Sequence, residues 1–237
     1  MSVPSPSSAP PLVRLHEVRR RFLLGETAVD ALAGISFTIN SGEFLAVWGP
    51  SGSGKSTLMN VLGLIDTPSS GEVWFDGQDT RGLADDALTD FRGRRIGFVF
   101  QSFNLVPVLS ALENVMLPLQ IQGVPERQAR GRAAAALDEV GLERFHGSRP
   151  DRLSGGQRQR VAIARALAIE PRLVIADEPT ANLDSDNAAM VVALMRKLNH
   201  DKGVTFVFTT HDPRLLDQVD RRIHLRDGCI ESDEHSA

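Results

Sequence analysis

The sequence contains little of several features that would each indicate a particular class of protein. Of its 237 residues only Cys229 is a cysteine, so no disulfide can form within the chain and we expect a reducing compartment. The net charge is −4, without the excess of lysine and arginine that a general nucleic-acid binder needs, so we expect no nucleic-acid partner. No run approaches the ~20 consecutive apolar residues of a membrane span, and the first residues lack a signal-peptide core. We therefore expect no direct membrane span, and contact with a membrane only through a partner protein.

A glycine-rich stretch with one lysine lies between an apolar run and a helix-forming run. It reads Gly49-Pro50-Ser51-Gly52-Ser53-Gly54-Lys55-Ser56-Thr57. The stretch matches the template of a phosphate-binding loop, in which successive backbone N–H groups point at an anion at the start of a helix. In that template Lys55 reaches the β and γ phosphates, Ser56 is an oxygen ligand of Mg²⁺, and Thr57 adds a contact to the α phosphate. The sequence therefore predicts a bound nucleotide together with Mg²⁺.

Composition divides the chain into regions. Residues 1–11 contain only Ser, Pro, Ala, Val and the initiator Met, which predicts a disordered tail. The first hundred residues are rich in strand patterns suited to antiparallel pairing, about 103–160 is an inserted helical block, and the remainder alternates strands with helices. We predict one α/β nucleotide-binding domain over 12–237. Its phosphate-loop NTPase core, a mostly parallel sheet with flanking helices, carries an N-terminal antiparallel β subdomain and an inserted helical subdomain.

Two adjacent acids follow the apolar run from Leu173 to Ala176. A buried strand with this ending places Asp177 beside the nucleotide, where it can hold the coordination shell of Mg²⁺, and lets Glu178 polarise an attacking water. Adjacent acids at a strand end are also common as solvated side chains, but a phosphate-binding loop upstream favours the catalytic interpretation. A kinase, a GTPase and a transport ATPase are all compatible with these two motifs.

A second candidate anion site follows in the stretch Leu153-Ser154-Gly155-Gly156-Gln157. Ser154 suits a helix N-cap, and the paired glycines leave backbone N–H groups at the positive end of the helix open to a phosphate. One nucleotide already has a complete binding loop in residues 49–57. The second site is therefore best explained as facing the γ phosphate of a nucleotide held by another copy of the chain.

Residues 153–157 resemble the signature sequence of the ATP-binding cassette (ABC) ATPases, and further matches follow in that family's order. Gln101 is similar to the glutamine of the family's Q-loop, residues 181–184 resemble its D-loop, and His211 resembles its switch histidine. Together the matches cover about residues 12–231. The resemblance narrows the open choice of enzyme class to an ATPase.

The resemblance also implies how ATP is hydrolysed. Glu178 activates the water, while His211 and Lys55 stabilise charge on the transferred phosphoryl group. The resemblance also implies that Gln101 binds the Mg²⁺ ion, and Gln101 is therefore counted among the catalytic residues. The Mg²⁺ ligands implied by the resemblance are Ser56, Gln101 and Asp177.

Across the twofold axis of a dimer, the family binds each ATP with residues of both chains. The residues of this sequence implied to contact ATP in trans are Ser154, Gly155, Gly156, Gln157 and Asp184. Two ATP molecules would then join two copies of the chain head to tail, and loss of the γ phosphate would release them.

Within the family, the stretches 59–68, 97–101 and 113–115 are most similar to one branch. That branch contains the ATPases of lipoprotein-releasing and macrolide-export type transporters and a related cell-division ATPase. It implies a cytoplasmic subunit, peripheral on the inner face of the cell membrane, that drives a separately encoded permease. The alternative is an ATP-driven switch that transmits force to a cell-envelope or cell-division complex without transport. Soluble DNA-repair or ribosome-acting relatives are disfavoured, because the chain has neither a long coiled-coil insertion nor a second cassette.

One departure from the family concerns the adenine base. The family usually stacks the adenine on a tyrosine near the end of the first strand, and this chain has no tyrosine. Phe22 is the candidate in its place, since a phenyl face can stack on the base without the hydroxyl, and the alternative is that Phe22 is a core residue. For the permease, we expect docking near Phe103, Leu105 and Val106.

Overall fold

Ten strands and seven helices make up the part of the chain that the computed structural model describes, residues 10–25 and 27–236. The predicted tail, residues 1–11, lies outside these ranges except for its last two residues. The strands are β1 Val13–Leu24, β2 Thr27–Ile39, β3 Phe44–Trp48, β4 Ser70–Phe75, β5 Gln78–Asp79, β6 Ile96–Val99, β7 Leu173–Ala176, β8 Thr205–Thr210, β9 Arg221–Arg226 and β10 Cys229–His235. The helices are α1 Lys55–Leu62, α2 Asp85–Arg95, α3 Ala111–Ile121, α4 Glu126–Glu139, α5 Gly155–Leu167, α6 Ser185–Lys202 and α7 Pro213–Leu216.

A six-stranded sheet forms the centre of the molecule, in the order β10-β9-β3-β8-β7-β6. All of its neighbouring strands run parallel except the β9–β10 pair, which is antiparallel. Every residue of β7 and β8 is buried, as expected for strands covered on both faces. The predicted mostly parallel sheet is confirmed, and the carboxyl ends of β3, β7 and β8 meet at one edge.

A four-stranded antiparallel sheet, in the order β2-β1-β4-β5, packs on one face of the large sheet. β1 pairs with both β2 and β4, which confirms the antiparallel subdomain predicted for the first hundred residues. A tight turn at Asp76 and Gly77 joins β4 to β5, with φ values of 52° and 77°. The long β1–β2 ribbon reaches the carboxyl edge of the large sheet, where its residues flank the candidate site.

The inserted helices α3, α4 and α5 pack against one another between β6 and β7 in chain order. α3 begins with a capping box in which Ser110 and Glu113 bond each other's backbone N–H groups. Pro125 is the N-cap of α4, and Gly141, with φ of 70°, follows its last turn. α5 also packs against β6, so it belongs to both the helical block and the sheet core.

Two hydrophobic cores lie on opposite faces of the large sheet. Phe44, Phe206 and Phe208 point into the core shared with the helices, while their neighbours Leu45 and Val207 point into the core shared with the small sheet. This alternation follows from the period of two in a strand. Each such fully buried side chain contributes about 1.5–3 kcal/mol to folding.

Candidate functional site

The glycine-rich loop 49–57 lies at the carboxyl edge of the large sheet, between β3 and α1. Gly49 has φ of 151°, and a Cβ there would lie 2.0 Å from the Leu225 carbonyl oxygen, so no other residue fits. The turn between β9 and β10 also touches the loop, because the Gly228 N–H donates to the Ser53 carbonyl at 3.0 Å. The exposed Cys229 directly follows this contact. The loop is therefore in contact with both strand β9 and the turn between β9 and β10.

Backbone donors at the start of α1 are open to an anion. Gly54 is the N-cap, no side chain caps the helix, and no acidic residue stands in its first turn. The buried Lys55 ammonium lies inside the curl of the loop, donating to the carbonyls of Gly49 at 2.9 Å and Pro50 at 2.8 Å. A positive side chain and uncapped N–H groups thus lie together in the loop, and the binding of phosphate there stays a prediction.

The two acids after β7 are placed by the neighbouring strand β8. The buried Thr209 hydroxyl donates to Asp177 Oδ1 at 2.7 Å and accepts from the Glu178 N–H, also at 2.7 Å. Glu178 adopts a left-handed backbone, with φ of 44°. His211, two residues beyond Thr209, brings its Nδ1 to 3.6 Å from Glu178 Oε1. The parallel pairing of β7 with β8 therefore brings both acids and His211 together.

A cavity of about 430 Å³ joins these groups. It is lined by Gly49, Ser51, Gly52, Gly54, Lys55, Ser56 and Thr57 of the loop, by Glu178 and His211, and by Val29, Asp30 and Ala31 of β2. Sequence analysis missed the β2 residues, because nothing in their order along the chain indicates that the β1–β2 ribbon reaches the loop. Arg21, hydrogen bonded to Asp30 at 2.6 Å, holds the pKa of the Asp30 carboxyl below its usual value.

Phe22 lies beside this cavity without lining it. Its cross-strand partner is Val29, which does line the cavity. The ring is 36% exposed, so the alternative of a core residue is wrong, and the Arg20 guanidinium lies 4.6 Å from its centroid. One face of the ring therefore carries a cation.

Gln101 follows β6 at the same edge, with an exposed side chain that does not line the cavity. Its carbonyl accepts a hydrogen bond from Asn182 Nδ2 at 2.9 Å. The residues that follow Gln101 are hydrogen bonded to α5. Arg165 of that helix donates to the carbonyls of Phe103 at 2.8 Å and Asn104 at 2.5 Å. Burial lowers the pKa of Arg165. Gln101 thus begins a segment tied to both the 181–184 loop and the helical block.

The stretch 154–157 forms the N-terminus of α5, as predicted. Ser154 Oγ accepts the Gln157 N–H at 3.2 Å, and Gln157 Oε1 accepts the Ser154 N–H at 2.8 Å. A Cβ at Gly156 would lie 2.7 Å from Asn187 Oδ1, so α5 and the start of α6 touch here. Asp184 caps α6 by accepting the Asn187 N–H, and that bond lowers the pKa of Asp184. None of these residues lines the cavity of their own chain.

A second groove, of about 310 Å³, separates the helical block from β6. It is lined in part by Phe98, Phe100, Asn104, Pro118 and Ile169. The expected docking residues lie next to it rather than in it. The Arg158 guanidinium lies 5.0 Å from the centroid of the Phe103 ring, Leu105 packs against the core, and Val106 is exposed. Docking of a permease near these three residues stays a prediction.

Comparisons with known proteins agree with this geometry. The family model described as "ABC transporter" matches residues 32–181. The lipoprotein-releasing system ATP-binding protein LolD of Anaeromyxobacter dehalogenans is 50% identical over 233 residues, 95% of this chain and 95% of that protein. The macrolide export ATP-binding/permease protein MacB of Syntrophobacter fumaroxidans is 49% identical over 222 residues, 93% of this chain. The chain spans only 31% of the length of that MacB.

A solved structure gives the same result. The dimeric, post-hydrolysis state of the ATP-binding cassette MJ0796 of Methanocaldococcus jannaschii, bound to ADP and Pi, superposes with a TM-score of 0.86. It is 45% identical and covers 94% of this chain and 98% of its own. The phosphate loop, the two acids beside His211 and the separate helix N-terminus at Ser154 occur together on one cassette fold. The chain belongs to the ABC transporter family and is an ATP-hydrolysing, nucleotide-binding subunit.

Proposed function

We propose that two copies of the chain dimerise head to tail around two ATP molecules and drive a separately encoded membrane permease. The observation that carries this proposal is the separation of the site into two parts. Loop 49–57, Glu178 and His211 line one cavity, while the capped N-terminus of α5 at 154–157 does not line it. A second copy related by a twofold axis supplies the missing part to each cavity.

Within one chain, loop 49–57 binds the phosphates. The uncapped N–H groups of α1 and the Lys55 ammonium face the anion, and the lysine exchanges its bonds with the Gly49 and Pro50 carbonyls for phosphate oxygens. Pro50, Ser51, Gly52 and Ser53 complete the loop, and Thr57 adds a hydroxyl. Phe22 offers its free ring face to the adenine, next to Val29.

The oxygen donors near the loop fit Mg²⁺. Ser56 offers a hydroxyl, Gln101 an amide oxygen and Asp177 a carboxylate, and such oxygens are the ligands that Mg²⁺ prefers. Among the described residues no group of three or more His, Cys, Asp or Glu side chains could hold a metal ion without other ligands. That suits an ion shared with substrate phosphates, and Mg²⁺ bound with ATP would neutralise charge on them.

Glu178 is the proposed base. It takes a proton from the water whose oxygen attacks the γ phosphorus, while the bond from that phosphorus to the β–γ bridging oxygen breaks and ADP leaves. His211, within 3.6 Å of the Glu178 carboxylate, lies where it can donate to a γ-phosphate oxygen. Lys55 stabilises the same developing charge from the loop side. Signature residues Ser154 to Gln157 and Asp184 of the other copy close the site.

The apolar groove lined by Phe98, Phe100 and Pro118 is the proposed docking site for the permease. Ile121, one turn beyond Pro118 on α3, is 85% exposed and extends this surface. Gln101 directly follows Phe100, which lines the groove, so a contact of Gln101 with the nucleotide could shift the helical block when ATP binds and when the γ phosphate is lost. None of the described helices is long and apolar enough to cross a membrane. We propose that the chain is cytoplasmic and held at the inner face of the cell membrane through the permease.

The names of the relatives support transport over the alternative of an ATP-driven switch for a cell-envelope complex. LolD is named for lipoprotein release and MacB for macrolide export, and MacB carries a permease in the same polypeptide. Both forms of the proposal share the same ATPase cycle. The two forms differ in the partner protein that binds the apolar groove, which is a transport permease in one and a cell-envelope complex in the other.

Complementation between two inactive variants tests the shared site. Ser154→Arg blocks closure over the partner's γ phosphate, and Glu178→Gln disables hydrolysis of the ATP that its own chain binds. In a mixed dimer, the Ser154→Arg chain keeps its own Glu178 and faces an intact partner stretch 154–157. We expect each pure variant to lose turnover and the mixture to regain part of it.

Ser110→Arg is the matched control, because Ser110 makes the same capping box on α3 away from the cavity. Ser110→Arg should lower the free energy of unfolding by about 1 kcal/mol, the cost of a lost cap, as Ser154→Arg does. Unlike Ser154→Arg, it should keep its ATPase activity. A Ser154→Arg protein with normal activity would defeat the head-to-tail arrangement.

A further inference from the structure

Among the residues that the structure describes, only Thr209 has a side chain that hydrogen bonds to both Asp177 and Glu178. It donates to Asp177 Oδ1 and accepts from the Glu178 N–H, each at 2.7 Å, and the residue is fully buried on β8. We propose that Thr209 is a positioning residue, which sets the orientation of Asp177 and Glu178 together through one hydroxyl. The inference rests on the proposed roles of these two acids.

The direction of the two hydrogen bonds is fixed by chemistry. A backbone N–H can only donate, so the hydroxyl oxygen must accept from Glu178. The single hydroxyl proton is then free to be donated to an oxygen of the Asp177 carboxyl group. Valine has nearly the same shape as threonine but offers neither bond, so it separates the hydrogen bonds from the packing.

The backbone of Glu178 makes this support necessary. Its φ of 44° lies in the left-handed region, which a residue with a Cβ occupies at a cost in free energy and holds only when its surroundings fix it there. The bond from the Glu178 N–H to Thr209 is one of those constraints. Its carbonyl accepts the Ala181 N–H at 3.2 Å on the other side. Without Thr209, Glu178 can relax away from its place beside His211.

Loss of the hydroxyl should affect turnover more than ATP binding. Thr209 does not line the cavity, and loop 49–57 makes its phosphate contacts without it. Displacement of a reacting group by about 1 Å can cost on the order of a hundredfold in rate. We expect Thr209→Val to lower kcat by at least about tenfold while KM for ATP changes less than about twofold.

Thr205 provides a matched control on the same strand. It is also fully buried, and its hydroxyl accepts a backbone N–H, that of Gly42, at 2.9 Å. It lies at the start of β8, at the opposite edge of the sheet from the acids. Thr205→Val therefore removes one buried hydroxyl and leaves one N–H without its partner, far from the site. Thr209→Val does the same and also removes the bond to Asp177.

The experiment measures kcat, KM and thermal unfolding for Thr209→Val, Thr209→Ser and Thr205→Val in the full chain. The exchange rate of the Glu178 amide hydrogen, followed by NMR, is recorded for the same proteins without nucleotide. We expect both valine variants to unfold at lowered temperatures, Thr209→Val at the lower of the two because it loses two hydrogen bonds. Only Thr209→Val should lose turnover and exchange the Glu178 amide faster, and serine, which keeps the hydroxyl, should restore most of both.

Three outcomes would overturn the inference: equal turnover in the two valine variants, failure of serine to restore activity, or unchanged exchange at the Glu178 amide. If Thr209→Val does not fold, Thr209→Cys takes its place, because a thiol is of similar size and forms only weak hydrogen bonds. Glu178→Gln is measured in parallel. Undiminished hydrolysis by Glu178→Gln would contradict the proposed function itself, whereas its inactivity beside an active Thr209→Val contradicts the positioning role alone.

Discussion

The exposed ring of Phe22 has one face towards Arg20 and no place in either hydrophobic core. We expect Phe22→Ala to weaken ATP binding by about 1–3 kcal/mol, the cost of one lost stacking face, with kcat at saturating ATP unchanged. Equilibrium binding of ATP and thermal unfolding measure the two quantities. Leu23→Ala is the control, since Leu23 is the next exposed apolar residue and points to the other face of the strand.

Equal ATP affinity in the Phe22 and Leu23 variants would place the adenine elsewhere. Lys55→Ala sets the scale of the assay, because loss of the charge inside loop 49–57 should reduce affinity strongly.

Some residues of the site could be identified from the sequence, and others only from the structure. Local sequence patterns indicated a chemical role for loop 49–57, for the two acids and for His211. Thr209 carries none, because its importance comes from the register of β8 against β7, where Ala176 pairs with Phe208. A sequence shows which residues are adjacent in the chain, but pairing between strands about 30 residues apart becomes visible only in the folded sheet.

Helix α5 connects the signature stretch to the segment after Gln101. Its N-terminus carries Ser154, and on the same helix Arg165 donates to two consecutive carbonyls, those of Phe103 and Asn104. Both of these residues have positive φ, so their loop depends on outside support. A shift of the Gln101 segment would therefore be transmitted to α5, the helix that we propose contacts the partner's ATP.

Arg165→Met tests this connection, because methionine keeps an apolar stem and loses the donors. We expect hydrogen exchange of residues 101–104 to increase and the free energy of unfolding to fall by about 1.5–3 kcal/mol, as for hydrogen bonds from a charged group. Arg160→Met on the same helix is the control, since Arg160 donates to the Val140 carbonyl at 3.1 Å. It should lose comparable stability with no change in exchange at 101–104. Identical exchange patterns in the two variants would refute the connection.

At the level of elements, local signals indicated the helical block at about 103–160 but not the contacts within it. Ser154 with Gln157 caps α5 at the helix end that the sequence indicated, and Ser110 with Glu113 and Gly141 act in the same way at the start of α3 and the end of α4. Chain order alone does not show that the Arg158 guanidinium lies over the Phe103 ring. Tertiary packing decides which apolar residues are left exposed.

For the whole molecule, the central prediction is an ATP-dependent dimer. Glu178→Gln keeps the shape of the side chain and removes the base, so we expect it to bind ATP, fail to hydrolyse it and stay dimeric. Size-exclusion chromatography with ATP and Mg²⁺ measures the dimer. Adding Lys55→Ala to the same protein should restore the monomer, because the nucleotide that joins the chains is then lost. A Glu178→Gln protein that stays monomeric at saturating ATP is inconsistent with the proposed cycle.

The single cysteine has a practical consequence for watching that dimer. Cys229 is exposed and follows the backbone contact between Gly228 and the phosphate loop. A spin label or fluorophore attached there marks one defined point per protomer, with no other thiol to compete for the reagent. In a symmetric dimer, the distance between the two labels reports the separation of the two protomers at Cys229. Distance measurements between them can follow opening and closing through the ATPase cycle in a chain whose sequence has not been altered.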